Sequence, residues 1–220
     1  SQSRDREGAG VPVGSKDQPP LADARGSDSV QMLYLRPLDS MESKPIAGTE
    51  GAVGPFFSPD GKWIGFFAGG KLKKVSMNGG AAVTLATAPQ PGGASWSTQG
   101  TLALQPSTSQ GLQQVSQDGG PPQLLTRLGI GETIHRWPEF LPGGTALLFA
   151  GSAANTSWNN TQIAVQSGGG GERKNLAQGG SQPHYASTGH LLYSQTGTLM
   201  AAPFDARRLV IDGRRASTSP

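Results

Sequence analysis

The residues best suited to chemistry in this chain lie in one short run, "HRWPE" at positions 135–139. A histidine changes charge near neutral pH, and an arginine offers a planar fork of N–H donors. A tryptophan offers a flat face on which a ligand can stack. We therefore take His135, Arg136, Trp137 and Glu139 as candidate binding residues.

A structural interpretation of the same run stays open. Arg136 could form an ion pair with Glu132 or Glu139, and Trp137 could pack between neighbouring elements of the core. In that case the run would stabilise the fold and bind nothing.

A further candidate is Trp158, within the segment "NTSWNN" at 155–160. We expect this segment to form a long hairpin loop with Trp158 at its tip. An exposed tryptophan at a loop tip would indicate a contact surface.

Metal and cofactor chemistry finds little support in the sequence. The chain has no cysteine, which excludes disulfides and thiolate metal sites. Its histidines are His135, His184 and His190, and no two are four residues apart as on a metal-binding helix. We predict no metal site and no cofactor.

The usual catalytic motifs are missing as well. The sequence contains no Gly-rich kinase loop, no His-Arg-Asp catalytic loop and no Asp-Phe-Gly. Gly-x-Ser-x-Gly does not occur, and the glycines at 168–171 lack the Lys-Ser/Thr of a phosphate-binding loop. These absences lead us to expect a chain that is not an enzyme.

Charge and hydropathy narrow the range of partners. The net charge is only +3, and the densest basic stretch is Lys71, Lys73 and Lys74, which we interpret as a solvated strand. Nucleic-acid binding normally needs a basic stripe or stacking platforms, so we expect no nucleic-acid partner. No run of about 18 apolar residues indicates a membrane segment in this chain.

The elements that position the candidate residues repeat along the chain. An aromatic residue, three further residues and a glycine recur four times, with the closing glycines at intervals of 39, 44 and 45 residues. Short apolar strands follow each repeat, and most repeats also contain a glycine-rich turn. A period of about 40–50 residues is typical of β-propeller blades.

Each repeat begins with a tight turn whose role we interpret as architectural. In the first, Pro59 presets φ at one corner and Asp60-Gly61 completes the turn. Gly100, Gly144 and Gly189 close the corresponding turns. Each turn would join the first two strands of a blade.

The repeats predict an all-β fold, a β-propeller of four-stranded antiparallel blades. Residues 32–38 and 45–47 resemble the last two strands of another blade, giving an incomplete, open arc of about four and a half blades. We assign residues 31–213 to the blades, and 1–30 and 214–220 to disordered tails or linkers. We also expect self-association through the open blade edges.

The stretches "FFSPDGKWIGFFAGGKLKKVSMNGG" and "HRWPEFLPGG" resemble the TolB-type, WD-repeat-like β-propellers of bacteria. The stretches "LYLRPLD", "AGTEGA", "GGTALLF" and "GTLMAAPFD" resemble, more narrowly, the C-terminal propeller of eukaryotic-like bacterial serine/threonine protein kinases. The resemblance covers residues 31–213.

This resemblance implies a non-catalytic domain that recognises a protein or small-molecule ligand. It would be the extracytoplasmic sensor of a receptor-type kinase, and no kinase catalytic residue can be assigned within this chain. Two alternatives remain open: an accessory propeller of a prolyl-oligopeptidase-type peptidase, and a TolB-like periplasmic translocation scaffold.

Overall fold

A computed structural model describes residues 31–153, 157 and 160–212. This part of the chain folds into 18 β-strands and one short 3-10 turn at Gly168–Gly170. It therefore contains no helix long and apolar enough to cross a membrane.

The strands form one two-stranded sheet and four antiparallel four-stranded sheets, which we number blades 1 to 4. The two-stranded sheet consists of β1 (Tyr34–Leu35) and β2 (Lys44–Pro45). Blade 1 consists of β3 (Val53–Phe57), β4 (Trp63–Ala68), β5 (Lys71–Ser76) and β6 (Val83–Thr87). Blade 2 consists of β7 (Ala94–Trp96), β8 (Thr101–Leu104), β9 (Gln113–Ser116) and β10 (Gln123–Leu124). Blade 3 consists of β11 (Ile134–Phe140), β12 (Ala146–Ser152), β13 (Gln162–Ser167) and β14 (Arg173–Gln178). Blade 4 consists of β15 (Ser181–Ala186), β16 (His190–Gln195), β17 (Thr198–Asp205) and β18 (Val210–Ile211).

The first strand of every blade lies at the inner edge of the arc. Within each blade the four strands pair in chain order, so the first strand is always at one edge. The first strands of neighbouring blades contact one another, β3 with β7, β7 with β11, and β11 with β15. This arrangement confirms the predicted all-β propeller of four-stranded blades.

The hydrophobic core is divided into layers between successive sheets. One cluster joins the two-stranded sheet to blade 1 and includes Ile46 and Phe66. Similar clusters join blades 1 and 2, blades 2 and 3, and blades 3 and 4. No such cluster joins blade 4 to the two-stranded sheet within the described ranges. The arrangement is an arc stabilised by neighbour-to-neighbour interfaces.

The aromatic residue that begins each repeat packs toward the preceding sheet, with one exception. Trp96 is buried against blade 1, and Phe140 and Tyr185 pack on blades 2 and 3. Phe57, in contrast, is 62% exposed. The sheet that precedes it has only the two outer strands of a blade, so nothing in the described chain covers an inner-edge ring there.

The sequence indicated a solvated strand for Lys74, but this residue is largely buried. Its side chain is only 12% exposed and approaches Asp118 of blade 2 at 3.8 Å. Its Nζ donates a 2.6 Å hydrogen bond to the carbonyl of Gln117 and lies 4.7 Å from the centre of the Trp63 ring. Alternation along the strand places this lysine in the interface between blades 1 and 2.

Gly65, on β4, lies directly against the aromatic ring of Phe56 on the inner strand and leaves no room for a side chain. A Cβ there would lie 2.3 Å from the ring of Phe56, which meets the Trp96 ring edge-on at 6.3 Å. Gly65→Ala should therefore displace Phe56 and lower the free energy of unfolding in urea by about 1–3 kcal/mol.

The matched control for this change is Gly65→Ala combined with Phe56→Leu. The smaller side chain makes room for the new methyl group, so the double variant should lose less stability than the two single changes together. Additive losses, within about 0.5 kcal/mol, would show that the two positions do not touch.

Candidate functional site

A bulge interrupts the inner strand in three of the four blades. In blades 3 and 4, Trp137 and Gln182 take left-handed backbone conformations, with φ of 50° and 53°. A proline follows each of them, and the strand pairing shifts register at the same place. In blade 1 the corresponding residue is Gly54, with φ of 58°. Side chains other than glycine rarely adopt this conformation, and such residues cluster at functional sites.

Four different side chains occupy one repeated position on the inner strands. Counting two residues beyond the left-handed residue gives Phe56, Glu139 and His184, and Ser95 follows Gly93 in the same way in blade 2. These four residues follow one another at the intervals of the repeat. The side chain at this position is therefore an aromatic ring in blade 1, a hydroxyl in blade 2, a carboxylate in blade 3 and an imidazole in blade 4.

A hydrogen bond between neighbouring blades recurs at this position. The Ser95 hydroxyl accepts the backbone N–H of Phe140 at 3.0 Å. One blade further along, the Glu139 carboxylate accepts the backbone N–H of Tyr185 at 2.8 Å. Phe140 and Tyr185 occupy equivalent places in the repeat. The same type of hydrogen bond therefore joins blade 2 to blade 3 and blade 3 to blade 4.

Glu139 also reaches the imidazole of His184. Its second carboxylate oxygen, Oε2, lies 2.5 Å from His184 Nδ1. The Glu139 side chain is 22% exposed and that of His184 is 65% exposed. Burial raises the pKa of Glu139, and the Tyr185 N–H and the nearby His184 offset part of that effect.

The two side chains face a pocket of about 350 Å³ at the inner edge of blades 2, 3 and 4, which we call the inner-edge pocket. Its lining residues are Gly93, Ala94, Trp137, Pro138, Glu139, Gln182, Pro183 and His184. Glu139 also lines a second cavity of about 280 Å³ that extends toward the turns of the repeats. The pocket combines a carboxylate, an imidazole and an amide with apolar ring surfaces.

His135, predicted as a binding residue, is instead fully buried between blades 2 and 3. Its Nδ1 lies 2.7 Å from the Thr126 hydroxyl, and its Nε2 lies 3.0 Å from Glu132. The ring packs on Phe149 with centroids 4.5 Å apart. This arrangement assigns His135 to the interface between the blades and separates it from the inner-edge pocket.

Glu132 is the centre of that buried network. Arg173 donates to both of its carboxylate oxygens, at 2.7 and 2.5 Å, and the Gly129 N–H donates at 2.6 Å. Although burial acts to raise the pKa of Glu132, the hydrogen bonds from Arg173, His135 and Gly129 lower it to about 2. Burial lowers the pKa of His135, against the attraction of Glu132.

Some of the other predicted residues lie in the interior of the fold, and others line the inner-edge pocket. Arg136 is half-buried on β11, and burial lowers the pKa of its guanidinium group. Glu132 pairs with Arg173, and Glu139 faces His184. Trp137 lines the inner-edge pocket. Trp158 lies outside the described residues.

The turn residues assigned from the sequence lie at the ends of the inner strands. Gly61, Gly100, Gly144 and Gly189 have φ between 67° and 81°, the left-handed region that glycine favours. In the first turn Asp60 accepts the hydroxyl hydrogen of Ser58 at 2.6 Å. Pro59 lies between these two residues and also lines the second cavity.

Two residues of the pocket, Gln182 and His184, were missed by sequence reasoning. A signal for them exists, because aligning the four repeats on their glycines places His184 at the position of Glu139 and Gln182 at that of Trp137. No local motif surrounds either residue, so only the register of the repeats indicates them.

Metal binding by these side chains receives no support from their arrangement. In the described part of the chain, no three His, Asp or Glu side chains come together in a group that could hold a metal ion. The pocket supplies one imidazole and one carboxylate.

The fold and the inner-edge geometry together define a β-propeller of four-stranded blades. No family model matches the sequence, and no curated protein matches it. The likeness to known proteins is therefore a likeness of fold, seen in solved structures.

Three solved structures illustrate the likeness. TolB from Acinetobacter baumannii has a TM-score of 0.63 and 18% identity, over 80% of this chain and 47% of its own. A TolB candidate from Agrobacterium tumefaciens has a TM-score of 0.66 and 16% identity, over 87% and 74%. Oligogalacturonate lyase from Vibrio parahaemolyticus has a TM-score of 0.61 and 12% identity, over 84% and 59%. This chain thus spans from about half to three quarters of the length of these propellers.

The expectation that this chain is not an enzyme, which was based on missing motifs, is wrong. Solved neighbours with the same fold include the lyase, a luciferin-regenerating enzyme and a gluconolactonase candidate. At these low identities the likeness establishes the fold, and that fold supports catalysis in other chains.

The network of Glu132, His135 and Arg173 predicts a loss of stability in acid. A carboxyl group with a pKa of about 2 in the folded protein and 4.5 as its ordinary value stabilises the fold fully above pH 4.5. That contribution, about 3 kcal/mol, should disappear as the pH falls from 4.5 toward 2. The lowered pKa of His135 acts in the same direction, beginning below pH 6.5.

Urea unfolding between pH 7 and pH 2 checks this expectation. Glu132→Gln should be less stable at neutral pH and should lose less stability in acid than the unchanged protein. Glu172→Gln, at an exposed position close to Arg173 in sequence, serves as the control and should retain the original slope. An unchanged slope in Glu132→Gln would contradict the role of the network.

Proposed function

We propose that this chain is a recognition domain that binds a small molecule or an exposed segment of a partner protein in the inner-edge pocket. The observation that carries the proposal is the convergence of Trp137, Glu139, Gln182 and His184 on one concave surface. Two of these residues are held in left-handed conformations that cost about 1–2 kcal/mol each.

The composition of the pocket favours neutral or cationic ligands. The Glu139 carboxylate and the Gln182 amide can accept and donate hydrogen bonds, and the Trp137 ring with two prolines offers apolar contact. At about 350 Å³ the pocket fits one or two rings or a short peptide turn.

At a finer level, we propose that the domain is the extracytoplasmic sensor of a bacterial receptor-type serine/threonine kinase. The resemblance of its blade sequences supports this role, as does a fold shared with TolB-like proteins. The alternatives are the accessory propeller of a prolyl-oligopeptidase-type peptidase and a TolB-like periplasmic scaffold.

Binding in the inner-edge pocket is tested by NMR titration with a set of neutral saccharides and short peptides. Ligands should perturb the indole N–H of Trp137 and the backbone amide of Gln182. Trp137→Gly removes the ring and takes the left-handed backbone without strain, so it should weaken binding about 10-fold or more. Phe57→Ser, exposed at the far end of the arc, should leave binding unchanged.

Two results would contradict the pocket assignment. In one, fragments bind and perturb residues elsewhere while the Trp137 and Gln182 signals stay fixed. In the other, Trp137→Gly binds as tightly as the unchanged chain.

The kinase role is tested separately, by sequencing the DNA that flanks the coding region. An upstream kinase catalytic loop followed by a membrane helix is the expected result. A hydrolase domain or a TolB-type leader in that place would remove the kinase role and leave the pocket assignment intact.

A further inference from the structure

We propose that Glu139 and His184 form an acid–base pair that hydrolyses neutral cyclic esters, or lactones, in the inner-edge pocket. The inference rests on the pocket assigned above and adds a reaction to it. It uses contacts between two blades that no single sequence motif contains.

The geometry orients the imidazole of His184 for proton transfer. With the Glu139 carboxylate ionised, the group facing its Oε2 must donate, so the proton of neutral His184 lies on Nδ1. The other ring nitrogen, Nε2, then carries a lone pair on a side chain that is 65% exposed. A histidine whose second nitrogen is held by a carboxylate is the arrangement of a general base.

The carboxylate is itself fixed by the fold. Its Oε1 accepts the backbone N–H of Tyr185 at 2.8 Å, which leaves Oε2 for the imidazole. Glu139 and His184 both lie two residues beyond a left-handed residue in their strands. The bulges thus bring the two side chains together across the interface between blades 3 and 4.

The lining of the pocket indicates the class of substrate. Among the described residues that line it, none is lysine or arginine, and the ionised Glu139 repels anions. A carboxylate or phosphate substrate would find no lysine or arginine in this lining to pair with. The ring of Trp137 and the amide of Gln182 suit a neutral ring that carries hydroxyl groups.

The reaction adds one water molecule across one C–O bond. Nε2 of His184 takes a proton from water as the water oxygen bonds to the carbonyl carbon of the lactone. The ring C–O bond then breaks, and the proton on Nε2 passes to the leaving alkoxide oxygen. The product is an open-chain hydroxy acid, and the imidazole returns to its starting state.

The probe is glucono-δ-lactone, with the acid released followed at constant pH and the rate in buffer subtracted. The unchanged chain should show saturable hydrolysis. His184→Ala should lower kcat about 100-fold or more, the usual contribution of a general base. Added imidazole should restore part of the rate in this variant, which a merely structural role would not produce.

Glu139→Gln tests how the pair is oriented. The Gln oxygen still accepts the Tyr185 N–H, while its NH₂ group donates to Nδ1 and shifts the ring proton to Nε2. The rate should fall about 10-fold or more in a folded variant. His190→Ala removes a histidine of the same blade that does not line the pocket, and it should leave the rate unchanged.

The outcomes separate this inference from the recognition role. Lactone that binds at the Trp137 indole without hydrolysis above buffer would overturn the acid–base pair and leave recognition standing. Equal rates in His184→Ala and the unchanged chain, or equal losses in His184→Ala and His190→Ala, would also overturn it.

Discussion

The hydrogen bond from a backbone N–H of one inner strand to a side chain of the preceding inner strand is the interaction on which the rest of this structure depends. Ser95 accepts the N–H of Phe140, and Glu139 accepts that of Tyr185, at the same position of successive repeats. An inner strand has no pairing partner on one side, so each of these bonds satisfies a donor that would otherwise remain unpaired. The bonds also join the same pairs of blades that the apolar layers hold together.

The same position explains why a site can form where the blades meet. A serine has one side-chain oxygen that can accept a hydrogen bond there, whereas a glutamate has two. Only one oxygen is needed to accept the backbone N–H of the neighbouring blade. The second oxygen of Glu139 is left to orient His184. The proposed site thus uses a position that already joins neighbouring blades, and adds to it a larger polar side chain and the bulges of β11 and β15.

Much of the fold could be predicted from the sequence, because the turn chemistry recurs. Glycines at fixed intervals and the strands that follow them indicate the four-stranded blades and the extra pair of strands. The site was harder to predict. His135 looked like the reactive histidine, and its neighbours in sequence gave no sign that Thr126 and Arg173 bury it between two blades. The partnership of Glu139 and His184 spans 45 residues and becomes apparent only when the repeats are aligned. The lack of known motifs was also a poor guide to catalysis on a fold that carries it in other chains.

The most direct measurement is the protonation of the His184 ring, from long-range proton–nitrogen NMR spectra at neutral pH. If Glu139 bridges the Tyr185 backbone and the imidazole as described, the proton of neutral His184 will reside on Nδ1. Nε2 will then show the chemical shift of an unprotonated nitrogen. A proton on Nε2, or rapid averaging between the two nitrogens as in a free imidazole, would contradict the bridge between blades 3 and 4 and the site built upon it.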